Sequence, residues 1–282
     1  IAIRSLVKPG SRVAVSGFEH NAVTRPLHAL GAEIRIAGRK LFDPADTLEQ
    51  FYRTLKQGVD AAVFTKADTS FNGSGALTVS SEKGHGIVCK DDLKFAGGSY
   101  TVQSAKQGLS GKDSLCIESG SFTINSGTDA LRSKHDTDNT KGYVYIYGGT
   151  FDITAGNDGV DASKDLQITG GTISGGNANY GGSIEIRGTV TMSGGTIDGG
   201  HSTKEGGNIR LYMTNVNDVD GKNMVVSTFT QTGGTIKNGT SDSTGGNMHA
   251  YGNVNLTGGS MEDGSSVSAG GNLRPYRPAV VN

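Results

Sequence analysis

Between residues 86 and 175 the chain keeps five apolar columns in step, and no other feature restricts its fold so tightly. Counted from Gly86, Gly108, Ala130 and Gly159, the intervals are 22, 22 and 29 residues, and removing HDTDNTK (135–141) returns the 29 to 22. One residue past each start stand Ile87, Leu109, Leu131 and Val160. Seven past, allowing for the insertion, stand Leu93, Leu115, Val144 and Leu166, and nine past stand Phe95, Ile117, Ile146 and Ile168. Fourteen past come Tyr100, Phe122, Phe151 and Ile173, then at sixteen Val102, Ile124 and Ile153. Columns two apart share one face of a strand. Each repeat therefore offers short strands with one apolar side, and only stacking like on like buries that side continuously. A rung of this length predicts a mainly β chain, a single-stranded right-handed parallel β-helix (solenoid).

The second half keeps the logic and changes the metre. Gly-Gly recurs at 181–182, 206–207, 245–246 and 270–271, at intervals of 25, 39 and 25. A loop of about 14 residues around TNVNDVDGKNMVVS (214–227) reconciles the 39 with a 25-residue rung. GGTI, GGTI and GGSM mark one corner, and GGNI, GGNM and GGNL another. Residues 69–282 then hold about nine rungs, a rod of roughly 40 Å at about 4.8 Å per rung. Pro275 and Pro278 fall where the repeat ends, where proline discourages further strand addition.

Residues 1–66 differ. Only 5 of the 45 glycines lie in residues 1–65. RVAVSGF (12–18), AEIRIAG (32–38) and VDAAVFT (59–65) read as strands, with helices over 22–30 and 44–58, the second capped by Asp43-Pro44. That order predicts a small βαβαβ segment. The domain division is thus 1–66 α/β, 67–175 with 22-residue rungs and 176–282 with 25-residue rungs. The formal net charge of −1 leaves no footprint for nucleic acid, and no apolar run approaches a membrane span. Two cysteines make no disulfide framework, and the six histidines show no zinc spacing. A monomer is expected.

Two surfaces could carry chemistry. With Val144 and Ile146 inward, Tyr143, Tyr145 and Tyr147 face out as a flat, partly apolar platform, flanked by Asp92, Lys94, Glu118, Asp165 and Gln167. Such rings suit sugar stacking, although exposed strands favour tyrosine in any case. The corners gather acids: Asp129, Asp136, Asp138, Asp158 and Asp161, with Asp91 and Asp113 nearby. Lys90, Lys112 and Lys134 form a column able to pair with such acids, and calcium, which takes six to eight oxygens, is the alternative.

Residues 67–175, through GHGIVCKDDLKFAGGSYTV, GKDSLCIESGSFTINSG and KGYVYIYGGTFDITAGNDGVDA, resemble a bacterial carbohydrate-binding β-helix family of pectate-lyase-like fold. The resemblance implies an extracellular or cell-surface, calcium-stabilised binder of plant-wall glycans of cellulose or pectin type. The family's corners carry Asp before the line-start glycine; here His85 and Gln107 stand there in the first two repeats, which directs calcium to Asp129, Asp158 and Asp161. Residues 176–282 resemble Gly-rich bacterial surface repeats. Residues 1–65, through LVKPGSRVAVSGFEHNAVTRPLHALGAEI (6–34), resemble a fragment of a class V pyridoxal-phosphate aminotransferase or cysteine desulfurase, in which His20 matches the ring-stacking histidine. The lysine that holds that cofactor lies in portions absent here, so no pyridoxal phosphate is expected. The leading expectation is a non-catalytic polysaccharide binder. The alternatives are a calcium-dependent lyase using Lys112 or Lys134 as base, and a structural repeat or chimeric chain without ligand.

Overall fold

A computed structural model describes residues 60–276 apart from 139, 187, 213, 217–222 and 226, together with 281–282; of the strands 12–16, 33–37, 214–216 and 223–225 it describes the backbone. The described residues form an all-β parallel solenoid and contain no helix. Nine strands, from Ala61–Thr65 to Leu273–Pro275, stack in parallel as the first wall and so bound eight turns, one fewer than the expected nine. A second wall runs from Thr69–Phe71 through Tyr143–Ile146 to Asn253–Glu262. The third begins at Ala76–Ser81 and joins the second where the long strand Thr228–Lys237 crosses their shared corner.

Register confirms every apolar column. Ile87, Leu109, Leu131 and Val160 pair in succession, as do Leu93, Leu115, Val144 and Leu166. Tyr100, Phe122, Phe151 and Ile173 follow suit on the third wall. All of these side chains are buried. The rings of Tyr100 and Phe122, and of Phe122 and Phe151, stack with centroids 4.9 Å apart, which is the rise of one rung. The repeat length is thus an aromatic stacking distance as well as a backbone one. Close approach explains the line-start glycine: a Cβ at Gly108 would lie 2.7 Å from the Ala130 carbonyl oxygen and 2.7 Å from the Ile124 side chain.

From residue 176 the rung gains a fourth wall that the sequence did not announce: Asn177–Tyr180, His201–Glu205, Thr240–Ser241 and Ser265–Ser266. The three extra residues per rung are spent there. The corner before each later strand is left-handed, with φ of +74° at Gly199, +55° at Asn238 and +53° at Asp263. Asn and Asp are the non-glycine residues that accept this conformation most readily. A ladder of asparagines closes the same turns. Asn208 donates from Nδ2 to Asn247 Oδ1 (2.7 Å), and Asn247 donates from Nδ2 to Asn272 Oδ1 (2.8 Å). Their carbonyl oxygens accept from the backbone N–H of Gly200, Gly239 and Gly264. The asparagine of GGNI, GGNM and GGNL is therefore a hydrogen-bond relay from rung to rung, buried at Asn208 and Asn247 and exposed at Asn272, where it ends.

Two expectations are revised. Ala61–Thr65, grouped by sequence with the α/β segment, pairs with His85–Cys89 and opens the solenoid's first wall. Its alternation suits either role, and the partner decides. The insertion at 214–227 is not bare loop, because Thr214–Val216 and Asn223–Val225 pair antiparallel as a hairpin. The strands Arg12–Ser16 and Glu33–Ala37 pair in parallel as the sequence implied; the two helices expected over 22–30 and 44–58 lie outside the described residues, as does His20.

Candidate functional site

The second wall turns one face outward, and the register lays its side chains out as a grid. Asp92 pairs with Ser114 and Ser114 with Tyr143; Lys94 pairs with Cys116, Cys116 with Tyr145 and Tyr145 with Gln167. Glu118 and Tyr147 occupy the next positions along their strands, and Asp165 precedes Leu166. Period-two alternation puts all of them opposite the buried Leu115, Ile117, Val144 and Ile146. Lys94 and Glu118 are bound at 2.6 Å, and that hydrogen bond holds the ammonium pKa above its ordinary value. Asp92 accepts from the Ser114 hydroxyl at 2.7 Å, and Asp165 from the Thr189 backbone N–H at 2.8 Å.

The tyrosines meet this grid differently from the flat platform expected. Tyr143 and Tyr145 are parallel to within 12° with centroids 5.7 Å apart; Tyr145 and Tyr147 are parallel to within 2° at 6.2 Å. The three rings stack on one another along the strand instead of lying side by side in one sheet. Residues i and i+2 on a strand stand close enough for rings to face each other, and stacking covers apolar surface that a platform leaves wet. Tyr147, at the end of the stack and 45% exposed, presents the freest ring. Burial, reinforced by Tyr143, Tyr147 and Asp165, pushes the Tyr145 phenol pKa up, so its hydroxyl stays a proton donor in neutral solution.

The acidic corner divides. Asp129, Asp158 and Asp161 bring carboxylate oxygens within 4.8 Å of one another, and the first two are buried. Asp136 and Asp138 stand apart from this group. Asp136 is exposed and paired with Lys134 at 3.3 Å, while Asp138 accepts from the Thr140 hydroxyl and backbone N–H within its own loop, which lowers its carboxyl pKa. The insertion that carries them packs on Asp113 through His135 and Lys141, which the interval alone could not reveal. Two residues missed by sequence reasoning complete the group. Arg132 Nε lies 3.3 Å from Asp161 and 3.5 Å from Asp129, and Asn157 Nδ2 donates to Asp129 (2.7 Å) and Asp158 (3.0 Å). Turned over, the Asn157 amide would offer an oxygen between the same two acids. Three carboxylates and an amide oxygen are a donor set that fits a hard divalent cation, with Arg132 offsetting one of the three charges.

The expected lysine–aspartate pairs along Lys90 and Lys112 do not form: Asp113 is held by Lys141 and His135, and Asp91 has its carboxyl pKa raised by burial and by Asp68 and Asp113.

A further cluster joins the fourth wall to the first, and sequence reasoning missed it. Arg210 bridges Glu185 (3.2 Å) and Glu205 (2.9 Å), and its guanidinium lies over the rings of Tyr180 (4.0 Å) and Tyr212 (4.4 Å). Tyr251 donates to Glu205 at 2.8 Å, and burial with that bond pushes its phenol pKa to about 12. The signal lay in the aligned lines GGNIRLY, GGNMHAY and GGNLRPY, each closing on a tyrosine.

Among protein-family models, a family described as carbohydrate-binding domain-containing protein matches residues 43–269, most of the solenoid. The chain belongs to that family. Neither the curated proteins nor the solved structures compared with it return a match. The carbohydrate-binding family assignment spans both rung metres and begins inside the segment that resembled a pyridoxal-phosphate enzyme, and nothing in the comparisons supports that second resemblance or the one to surface repeats. No described helix is long and apolar enough to cross a membrane.

Proposed function

We propose that this chain is a non-catalytic, extracellular or cell-surface binder of plant-wall polysaccharide, cellulose or pectin in type, which it holds on the outward face of the second wall. The observation that carries the reading is the Tyr143–Tyr145–Tyr147 stack, ending in the exposed Tyr147 ring and bordered by Lys94–Glu118, Asp92 and Asp165 on one rigid sheet. An aromatic face takes the apolar side of a sugar ring while neighbouring charged and amide groups bond its hydroxyls. The family match supports carbohydrate as the ligand. Calcium at Asp129, Asp158 and Asp161 would stiffen the corner between the third and first walls. The cation that meets this group is Arg132, not a lysine, and Lys134 is engaged by Asp136, so no contact favours the lyase alternative.

The test is a pull-down on insoluble cellulose and on pectin with the Tyr147→Ala and the Tyr143/Tyr145/Tyr147→Ala variants, with and without chelator. Tyr147→Ala is expected to weaken retention on cellulose about tenfold, in line with a stacking contact of roughly 1–1.5 kcal/mol, and the triple variant to abolish it. Unchanged retention by the triple variant would remove the second wall from the reading. Unsaturated product released from pectin would replace binding with lysis.

A further inference from the structure

The first wall carries an open groove of about 540 Å³, lined by five cations (Lys90, Lys106, Lys112, Lys134 and Arg132) against two carboxylates, Asp60 and Asp136. Three of these lysines belong to one file. Thr65 pairs with Cys89 and Cys89 with Gly111, so Lys66, Lys90 and Lys112, the residues that follow them, stack on successive rungs, and Lys134 follows Ser133 one rung on. Successive members stand about one strand spacing apart, roughly 4.8 Å. Like charges so placed repel and are retained only where something offsets them. Among the described residues no carboxylate is bound to Lys90, Lys106 or Lys112; Lys90 lies over the Phe64 ring at 5.8 Å, and the nearby Asp113 is occupied by Lys141. Arg132 is engaged by Asp129 and Asp161 and Lys134 by Asp136, which leaves Lys90, Lys106 and Lys112 as the groove's uncompensated charge.

We propose that this groove is a second ligand surface, separate from the tyrosine wall, and that it seats a linear polyanion along the solenoid axis. Lysine is a hydrated point charge with no planar fork, so the groove reads charge density and does not distinguish carboxylate from sulfate ester. His85 lines the same groove, and its imidazole pKa is already lowered by burial and by Lys106, Lys90 and Arg132. A bound polyanion reverses that cationic field and raises it. The inference does not rest on the tyrosine reading, and a chain with both surfaces would bridge a neutral glycan and a charged one.

The probes are polygalacturonate, dextran sulfate and uncharged dextran, measured by titration calorimetry in chelator so that the acidic corner contributes nothing. Both polyanions are expected to bind and dextran not, with affinity falling steeply between low and high salt as counterions are released. Lys106→Glu/Lys112→Glu is expected to weaken both polyanions at least tenfold and to leave cellulose retention intact; Lys106→Gln/Lys112→Gln, with no acid introduced, gives a smaller loss in the same direction. The His85 imidazole, followed by NMR titration, should move to higher pKa when dextran sulfate is added. Binding of polygalacturonate but not dextran sulfate would overturn the charge-density reading, and unchanged polyanion affinity in both lysine variants would overturn the site. Loss of cellulose retention in the tyrosine variants alone leaves this groove standing.

Discussion

Turns before residue 176 have three walls and a stack of rings inside; turns after it have four walls, an aliphatic file where the rings were, and a row of asparagines at one corner. The column that reads Tyr100, Phe122 and Phe151 continues as Ile173, Ile197, Ile236 and Met261. The later turns add a fourth wall whose corner is tied by Asn208, Asn247 and Asn272. Ring stacking is broad and forgiving of small shifts, whereas a hydrogen-bonded amide relay is directional and accepts one register. Both halves bury an apolar core, to which the first adds stacked rings and the second matched donors and acceptors. The two halves should therefore fail differently.

Removing a ring tests the first half and carries the largest expected effect. Phe122 is buried, stacked on Tyr100 and Phe151 and edge-on to Phe95. Phe122→Ala should cost about 3–5 kcal/mol in chemical denaturation, since neighbours on two rungs cannot collapse into the gap without breaking the backbone ladder. Phe122→Leu, which keeps most of the volume, should recover well over half of that. Equal losses for the two variants would mean that the file works by ring geometry and not by filling.

The corresponding test in the second half removes no volume to speak of. Asn247 is fully buried, accepts from Gly239 N–H and Asn208 Nδ2, and donates to the Glu262 carbonyl and Asn272 Oδ1. Asn247→Leu leaves buried partners unsatisfied at about 1–3 kcal/mol each, partly offset by the apolar side chain, so a net loss of about 2–3 kcal/mol is expected. Hydrogen exchange should locate it: protection falls around Gly239 and Gly264 and persists at Phe122. Uniform loss along the rod would make the two halves one cooperative unit.

The contrast also explains what the sequence revealed. The five columns were legible because alternation at period two and a fixed interval both survive without coordinates, and the interval insertion at 135–141 was separable by subtraction. The fourth wall was not legible, since three of its four strands bury a single small residue each, Ala178, Ser202 and Ser241, and Ser265–Ser266 buries none, too little for a periodic signal. Part of the acidic corner could be read, because Asp129, Asp158 and Asp161 keep their places relative to line starts. Asp136 and Asp138 could not be excluded from it, as an insertion has no register. Alternation said that the three tyrosines face outward, but the stacking of their rings is a matter of side-chain torsions that no spacing encodes.

The smallest effect separates the halves by pH. His249 is 3% exposed on the first wall, with Nδ1 against the Thr244 hydroxyl at 2.7 Å and its ring stacked on Tyr251. Burial lowers its imidazole pKa from the ordinary 6.5; Arg210 and Arg274 push the same way, and Glu205 and the Thr244 contact oppose them. The unfolded chain therefore takes up a proton near pH 6.5 that the folded chain still refuses, and the stability this histidine contributes is present above that pH. It is lost progressively as pH falls through the window between 6.5 and the lower folded value. His249→Gln should flatten the dependence of second-half stability across that window while leaving the first half, followed through Phe122 protection, as it was. His85 titrates in the same sense from the first half, so the variant must be compared with His85→Gln. If each substitution flattens the profile of both halves alike, the boundary at residue 176 is one of architecture without energetic independence.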